Sequence, residues 1–225
     1  MFPSKRSLPI LSCCVGLLAL LGATSLTQAA TITYGPFEIA EQPTDWNETL
    51  SITQFDPSLG ILGGVSFELT ATVAGSAEAE SLDAAPAEVT TDLVARVSLT
   101  DPTGNALVSS IPISNQVDNL AAFDGTIDFT GPSGVAHLSL SVSLTESGTS
   151  NDFGLFTGVG TIDLPIKAIG ESTGSGAGNL ITQFSTSASA SVSVTYDYIE
   201  AVPEPTSALL TLLGMSFLGL RRTRQ

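Results

Sequence analysis

Val65-Ser-Phe-Glu-Leu-Thr-Ala-Thr-Val73 alternates without a break: Val65, Phe67, Leu69, Ala71 and Val73 are apolar, and Ser66, Glu68, Thr70 and Thr72 are polar. Successive side chains of an extended chain point to opposite faces, so the pattern predicts a strand with one face in a core and the other in water. The same period recurs downstream. Val89, Leu93, Ala95, Val97 and Leu99 oppose Thr90, Asp92, Arg96, Ser98 and Thr100, with Val94 interrupting the polar side. Ala136, Leu138, Leu140, Val142 and Leu144 oppose His137, Ser139, Ser141, Ser143 and Thr145, and Val192, Val194, Tyr196 and Tyr198 oppose Ser191, Ser193, Thr195 and Asp197. Shorter candidate strands are Ile32–Ile39, Leu50–Phe55, Leu107–Ile111, Thr126–Phe129 and Gly158–Asp163.

Turn chemistry separates these runs. Asp56-Pro-Ser-Leu-Gly60, Asp101-Pro-Thr-Gly104 and Gly131-Pro-Ser-Gly134 each set a proline ahead of a glycine, the pairing that fixes one φ and frees another. One-sided alternation is the mark of antiparallel sheets. The expected fold is therefore all-β, an antiparallel β-sandwich of jelly-roll-like type over residues 30–200. It is flanked by an N-terminal signal helix in residues 1–29 and a C-terminal hydrophobic helix in residues 201–225. Within the body only Ala77–Ala87 suggests a turn of helix, and the Gly/Ser-rich stretch Glu171–Asn179 reads as a loop.

The chain has 225 residues, 7 Lys+Arg and 22 Asp+Glu, for a formal charge of −15. Lys5, Arg6, Arg221, Arg222 and Arg224 lie at the two ends, so the body keeps only Arg96 and Lys167 against 21 acids, a net of −19. Such a surface cannot neutralise phosphates, which argues against nucleic acid as a partner, and it is repelled by anionic lipid. Both cysteines, Cys13 and Cys14, precede the body, which leaves it without a disulfide, a zinc-thiolate site or a cysteine nucleophile.

The N-terminus has the three parts of a secretory signal. Lys5 and Arg6 carry the charge, Leu8–Leu21 is apolar apart from Ser12, and Ser25-Leu-Thr-Gln-Ala29 ends in small residues. Thr27 and Ala29 fit the −3 and −1 subsites of signal peptidase, so cleavage is expected after Ala29. A lipoprotein signal at Ile10-Leu-Ser-Cys13 fits less well, because most of the apolar run follows the cysteine. Ser4-Lys-Arg-Ser-Leu8 lacks the first arginine of a twin-arginine signal.

The C-terminus is also tripartite. Val202-Pro-Glu-Pro205 interrupts regular structure, because neither proline offers a backbone N–H. Ala208–Leu220 follows with only Thr211 and Ser216 polar, and Arg221-Arg-Thr-Arg224 ends the segment. As a helix the apolar run spans about 20 Å, short of the ~30 Å hydrocarbon core. The arginines would stay on the cytoplasmic side and stop transfer.

Val202, Pro203, Glu204 and Pro205, the apolar run, and Arg221, Arg222 and Arg224 together resemble the PEP-CTERM sorting signal of exported bacterial proteins. The resemblance covers about the last 25 residues. It implies transient anchoring in the inner membrane, cleavage near Pro203–Pro205 by an exosortase-like enzyme, and release or transfer to the cell surface in an exopolysaccharide or biofilm-matrix setting. A plain single-span anchor is the alternative. A second resemblance covers most of the body. Ile52-Thr-Gln-Phe-Asp-Pro-Ser-Leu-Gly60, Gly64-Val-Ser-Phe-Glu-Leu69, Gly178-Asn179 and Val192-Ser-Val-Thr-Tyr196, in that order, are similar to the choice-of-anchor E domain, a bacterial surface family. That implies a β-rich extracellular domain with no assigned catalytic residue.

Chemistry in the body is sparse. Gly170-Glu-Ser-Thr-Gly174 matches a nucleophile elbow, but the elbow needs a strand-to-helix turn and a later histidine. The sole histidine, His137, precedes Ser172 and is expected on a polar strand face. Asp118, Asp124, Asp128, Asp152 and Asp163 could offer oxygens to Ca²⁺, yet no EF-hand spacing is present, so no metal site or other cofactor is assigned. Trp46, in the polar stretch Glu41–Asn47, is the one candidate ligand contact, against the alternative that it packs over a core edge. The expected function is that of a non-catalytic, surface-sorted structural or matrix protein, with signal peptidase and an exosortase-like enzyme as processing partners and extracellular polysaccharide as a partner of the body. A carbohydrate- or Ca²⁺-binding module and, behind it, an extracellular hydrolase are the alternatives.

Overall fold

The structure is a computed structural model that describes residues 28–201. The expected signal helix and C-terminal helix lie outside these residues. The described chain is almost wholly antiparallel strand in two sheets, as its alternation predicts. The strands are β1 (Ala29–Pro43), β2 (Trp46–Thr53), β3 (Gly60–Ser81), β4 (Ala87–Thr100), β5 (Ala106–Ser110), β6 (Ile113–Leu120), β7 (Gly134–Ser150), β8 (Thr161–Gly170), β9 (Thr173–Ser175) and β10 (Leu180–Glu200). One short helix, α1 (Phe153–Phe156), interrupts them, with Asp152 accepting from Leu155 N at its start.

The first sheet runs β1-β10-β3-β7 and the second β2-β8-β4-β5, with β6 and β9 also pairing β4. The pairings nest. β4 pairs β5, β3 pairs β7, β2 pairs β8, and β1 pairs β10. The two halves of the chain are thus laid against one another like a single long hairpin folded across both layers. The middle of the first sheet is its most regular part: β10 stays in register with β3 from Leu180↔Ser81 to Asp197↔Gly64.

Apolar faces of both sheets meet in one core. Phe67, Leu69 and Val73 of β3 and Val192, Val194 and Tyr196 of β10 face Leu93 and Leu99 of β4, Ile52 of β2, and Leu164 and Ile166 of β8. Each fully buried side chain of this size contributes about 1.5–3 kcal/mol. Tyr196 is wholly buried, and its hydroxyl donates to Thr53 O at 2.8 Å. Burial pushes its ionisation well above the usual phenol range, with Tyr34 adding to the shift.

Four local expectations are corrected. Thr126–Phe129 is not a strand but part of the segment between β6 and β7. Ala77–Ser81 is not helical but continues β3, because β10 pairs with it as far as Ser81 and Ala77 and Ala79 are buried. Thr173–Ser175 is not loop but β9, pairing with Thr90–Asp92. In β7 the alternation changes phase. Gly75 pairs Leu140 while Ala77 pairs His137, so β7 holds one extra residue there. A bulge of this kind shifts every side chain beyond it to the other face. Leu138 is accordingly exposed, whereas Leu140 and Val142 pack on the core.

Candidate functional site

The outer face of the first sheet is paved with hydroxyls. Its four strands bring Thr33, Thr195, Ser66 and Thr149 into one row, and Glu38, Ser191, Thr70 and Thr145 into another. Neighbouring hydroxyls bond across the strands: Thr33 to Thr195 at 2.8 Å, Thr70 to Thr145 at 2.8 Å and Thr72 to Ser143 at 2.7 Å. β-branched threonine suits a pleated surface, and Thr–Thr/Ser pairs stabilise it. β1 leaves register with β10 between Ile39 and Gln42. Beside that irregularity lies a shallow trough of about 460 Å³, lined by Glu38, Ala40, Thr70, Thr72, Ser189 and Ser191 among others. The trough offers hydroxyls and one carboxylate to a polar ligand and no aromatic plane on which a ring could stack.

Trp46 does not serve that face. It opens β2 and is 7% exposed, and its indole N–H donates to Ala188 O at 3.3 Å. The polar neighbours Glu41–Asp45 mask this in sequence. β1 runs on to Pro43 and turns directly into β2, which carries the ring into the core. The expected ligand contact is thus corrected to a core side chain whose polar atom is satisfied by backbone.

The other candidates are dispersed. The Ser172 hydroxyl accepts from Val94 N at 3.1 Å and shares a hydrogen bond with Thr186, joining β8 to β9 with no helix behind it. His137 is half-buried rather than exposed, with Nε2 2.9 Å from Asp118 Oδ2 on β6. Asp124 caps Thr126 N, Asp128 caps Thr130 N, Asp152 starts α1, and Asp163 accepts from Ser51. Each acid holds its own turn or strand partner. Among the described residues no three His, Cys, Asp or Glu side chains are grouped to hold a metal ion. Arg96 clasps Glu171 through two bonds, at 2.9 and 3.0 Å, and this holds the Glu171 carboxyl below its usual range.

Glu80 has no counterpart among the sequence expectations. It is fully buried, and its carboxyl accepts from Ser133 Oγ at 2.6 Å and Phe129 N at 2.8 Å. The segment between β6 and β7 folds over it, fastened further by Ser81 N to Ser133 O. Alternation alone places Glu80 in water, and only this distant loop covers it.

The two ends of the described chain meet. Ala29, the expected last residue of the signal segment, pairs Ile199, and Glu200 N donates to Gln28 O. Beyond β10, Ala201 N donates to Leu59 O, and the fold has used its last described backbone bond one residue before Val202. Thr27, Val202, Pro203, Glu204, Pro205, Arg221, Arg222 and Arg224 lie outside the described residues.

No protein-family model matches the chain, and no curated protein matches it. Solved structures give weak likenesses to virus capsids. The infectious bursal disease virus VP2 subviral particle aligns at TM-score 0.26 and 13% identity, over 90% of this chain and 46% of that one. Desmodium yellow mottle tymovirus aligns at 0.18 and 10%, over 90% and 98%. The chain thus spans less than half the length of the first. At such scores the likeness adds nothing to the topology read from the strand pairs.

Proposed function

We propose that this chain is an exported, surface-sorted, non-catalytic β-sandwich of matrix type, held for a time at the inner membrane and then processed at its C-terminus by an exosortase-like enzyme. One observation carries the reading: Val202-Pro-Glu-Pro205, Ala208–Leu220 and Arg221-Arg-Thr-Arg224 follow in order, immediately after the last strand bond of the body at Ala201. A cut at Pro203–Pro205 would therefore leave every described strand pair in place. The nested pairing of β1 to β10 supports describing the body as a jelly roll, an architecture that hosts binding and assembly surfaces. His137 bonds Asp118 and Ser172 bonds Val94 and Thr186, with no hydrogen bond between His137 and Ser172, which supports a body without a serine nucleophile. The hydroxyl face and its trough supply the contact for a hydrated extracellular polysaccharide.

Fractionation of the native host tests the sorting step. Wild-type chain is expected at the cell surface or in the medium, and Glu204→Ala in the inner membrane. Identical distribution of the two would remove the reading.

A further inference from the structure

Four large apolar side chains stand exposed at one end of the sandwich: Leu59 at 38%, Ile61 at 72%, Val159 at 88% and Ile199 at 44%. Contacts tie them to that end. Ile61 and Ile199 are direct strand partners. Leu59 accepts from Ala201, the residue after β10. Val159 tips the loop between α1 and β8, which is fastened on either side by Gly158 N to Phe55 O and Gln54 N to Gly160 O. The Phe55 ring in turn lies 5.1 Å from that of Tyr198, next to Ile199. The remaining exposed large apolar residues are spread over β6, β7, β8 and the loop before β7. Scattered single residues need no explanation, whereas a concentration at one end does.

The same end is where the chain leaves the body. Only residues 202–207 separate Ala201 from Ala208, the first residue of the apolar run. Fully extended, that link reaches about 25 Å, and the headgroup layer takes up about 6 Å of it. With the run in a bilayer, this end of the sandwich cannot move far from the interface. Its charge also limits the lipid it fits. Asp56 and Glu200 lie here. Arg96 and Lys167 lie toward the other end, where Lys167 pairs Asn47 near the start of β2 and Arg96 holds Glu171 beyond the end of β8. An apolar end whose acids outnumber its one base, the α-amino group that cleavage after Ala29 would leave at Ala30, suits a zwitterionic interface and is repelled by an anionic one.

We propose that Leu59, Ile61, Val159 and Ile199 form a bilayer-facing end that rests this body on a zwitterionic phospholipid interface while the C-terminal segment holds it there. The inference rests on the anchor reading above and adds an orientation to it: β1, β3 and β10 stand with their Ala29–Gly60–Glu200 end toward lipid and the β9 end away. Lipid contact also shields the exposed apolar row until processing frees the body.

The test uses mature chain made in a host without an exosortase-like enzyme and reconstituted in phosphatidylcholine vesicles. Removal of the signal segment takes Cys13 and Cys14 with it, so Ile61→Cys, Val159→Cys and Ser175→Cys can each carry a single fluorescent label. Ser175 lies at the opposite end, paired with Thr90 near the start of β4. A nitroxide on the lipid headgroup is expected to quench the labels at 61 and 159 strongly and to spare the label at 175. Flotation of the chain with vesicles, with no quenching at 61 and 159, would overturn the orientation while leaving the anchor intact. Equal quenching at all three positions would overturn it as well. Failure to float would overturn the anchor and, with it, this inference.

Discussion

Asp101 shows how single acids are used in this protein. It directly follows β4, and its carboxyl gathers the turn: Thr103 N at 2.8 Å, Thr103 Oγ1 at 2.7 Å, Asn105 N at 2.9 Å and Asn105 Nδ2 at 2.8 Å. These bonds, the Thr103 side chain first and the Asn105 side chain second, lower its pKa from 3.8 to about 2. A depressed carboxylate pKa means that the folded state binds its proton less readily than the unfolded state does. Its stabilisation is therefore complete above the unfolded value and is lost as pH falls from near 4 through about 2. Asp101→Asn is expected to lower the melting temperature at neutral pH and to leave a smaller drop between pH 4 and pH 2 than wild type shows. Equal drops in the two proteins would place the acid sensitivity elsewhere. The Asp-Pro-Thr-Gly turn was legible in the sequence because its residue types dictate local geometry. The roles of Trp46 and Glu80 were not, because each depends on a contact far along the chain, with Ala188 and with Ser133.

The strands are set by period and corrected by bulges. β3 and β10 keep one phase from Val65 to Val73 and from Val192 to Tyr196, and there they were readable residue by residue. β7 was not, because its phase is reset by an irregularity that its own sequence does not advertise. The irregularity falls opposite Gly75 of the partner strand, which has φ +148° and abuts the Ser185 carbonyl. A side chain there meets both a disfavoured backbone conformation and the β10 backbone. Gly75→Val is expected to cost about 3 kcal/mol or more, read as a fall in the urea midpoint. An unchanged midpoint would show that the bulge can slide, and that the exposed setting of Leu138 is not fixed by it. Val94 breaks the polar face of β4 for a related reason. β6 and β9 flank the first half of that strand, and β8 and β5 the second. Val94 sits at the junction, buried along with Leu93 and Ala95.

At the scale of the whole molecule, the two ends of the described body are far apart in the chain and adjacent in space. The sandwich opens at Ala29 and closes at Glu200, and these two points lie side by side through Ile199 and Gln28. Cleavage after Ala29 would remove the first β1–β10 pair, Ala29↔Ile199, and the Gln28 bond to Glu200, while a second cut beyond Val202 would remove none, so both ends would be trimmed at one place with the rest of the nested pairs kept. The all-β class was legible because alternation and proline–glycine turns act locally. The order of strands was not, because pairing partners such as β1 and β10 are 144 to 170 residues apart and alternation carries no partner information. The surface-sorting reading is most directly tested by the intact mass of the wild-type protein recovered from its native host. The account predicts a C-terminus between Val202 and Pro205, with any added mass identifying what the body has been joined to. A mass that runs through to Gln225 would contradict it and leave a simple membrane anchor in its place.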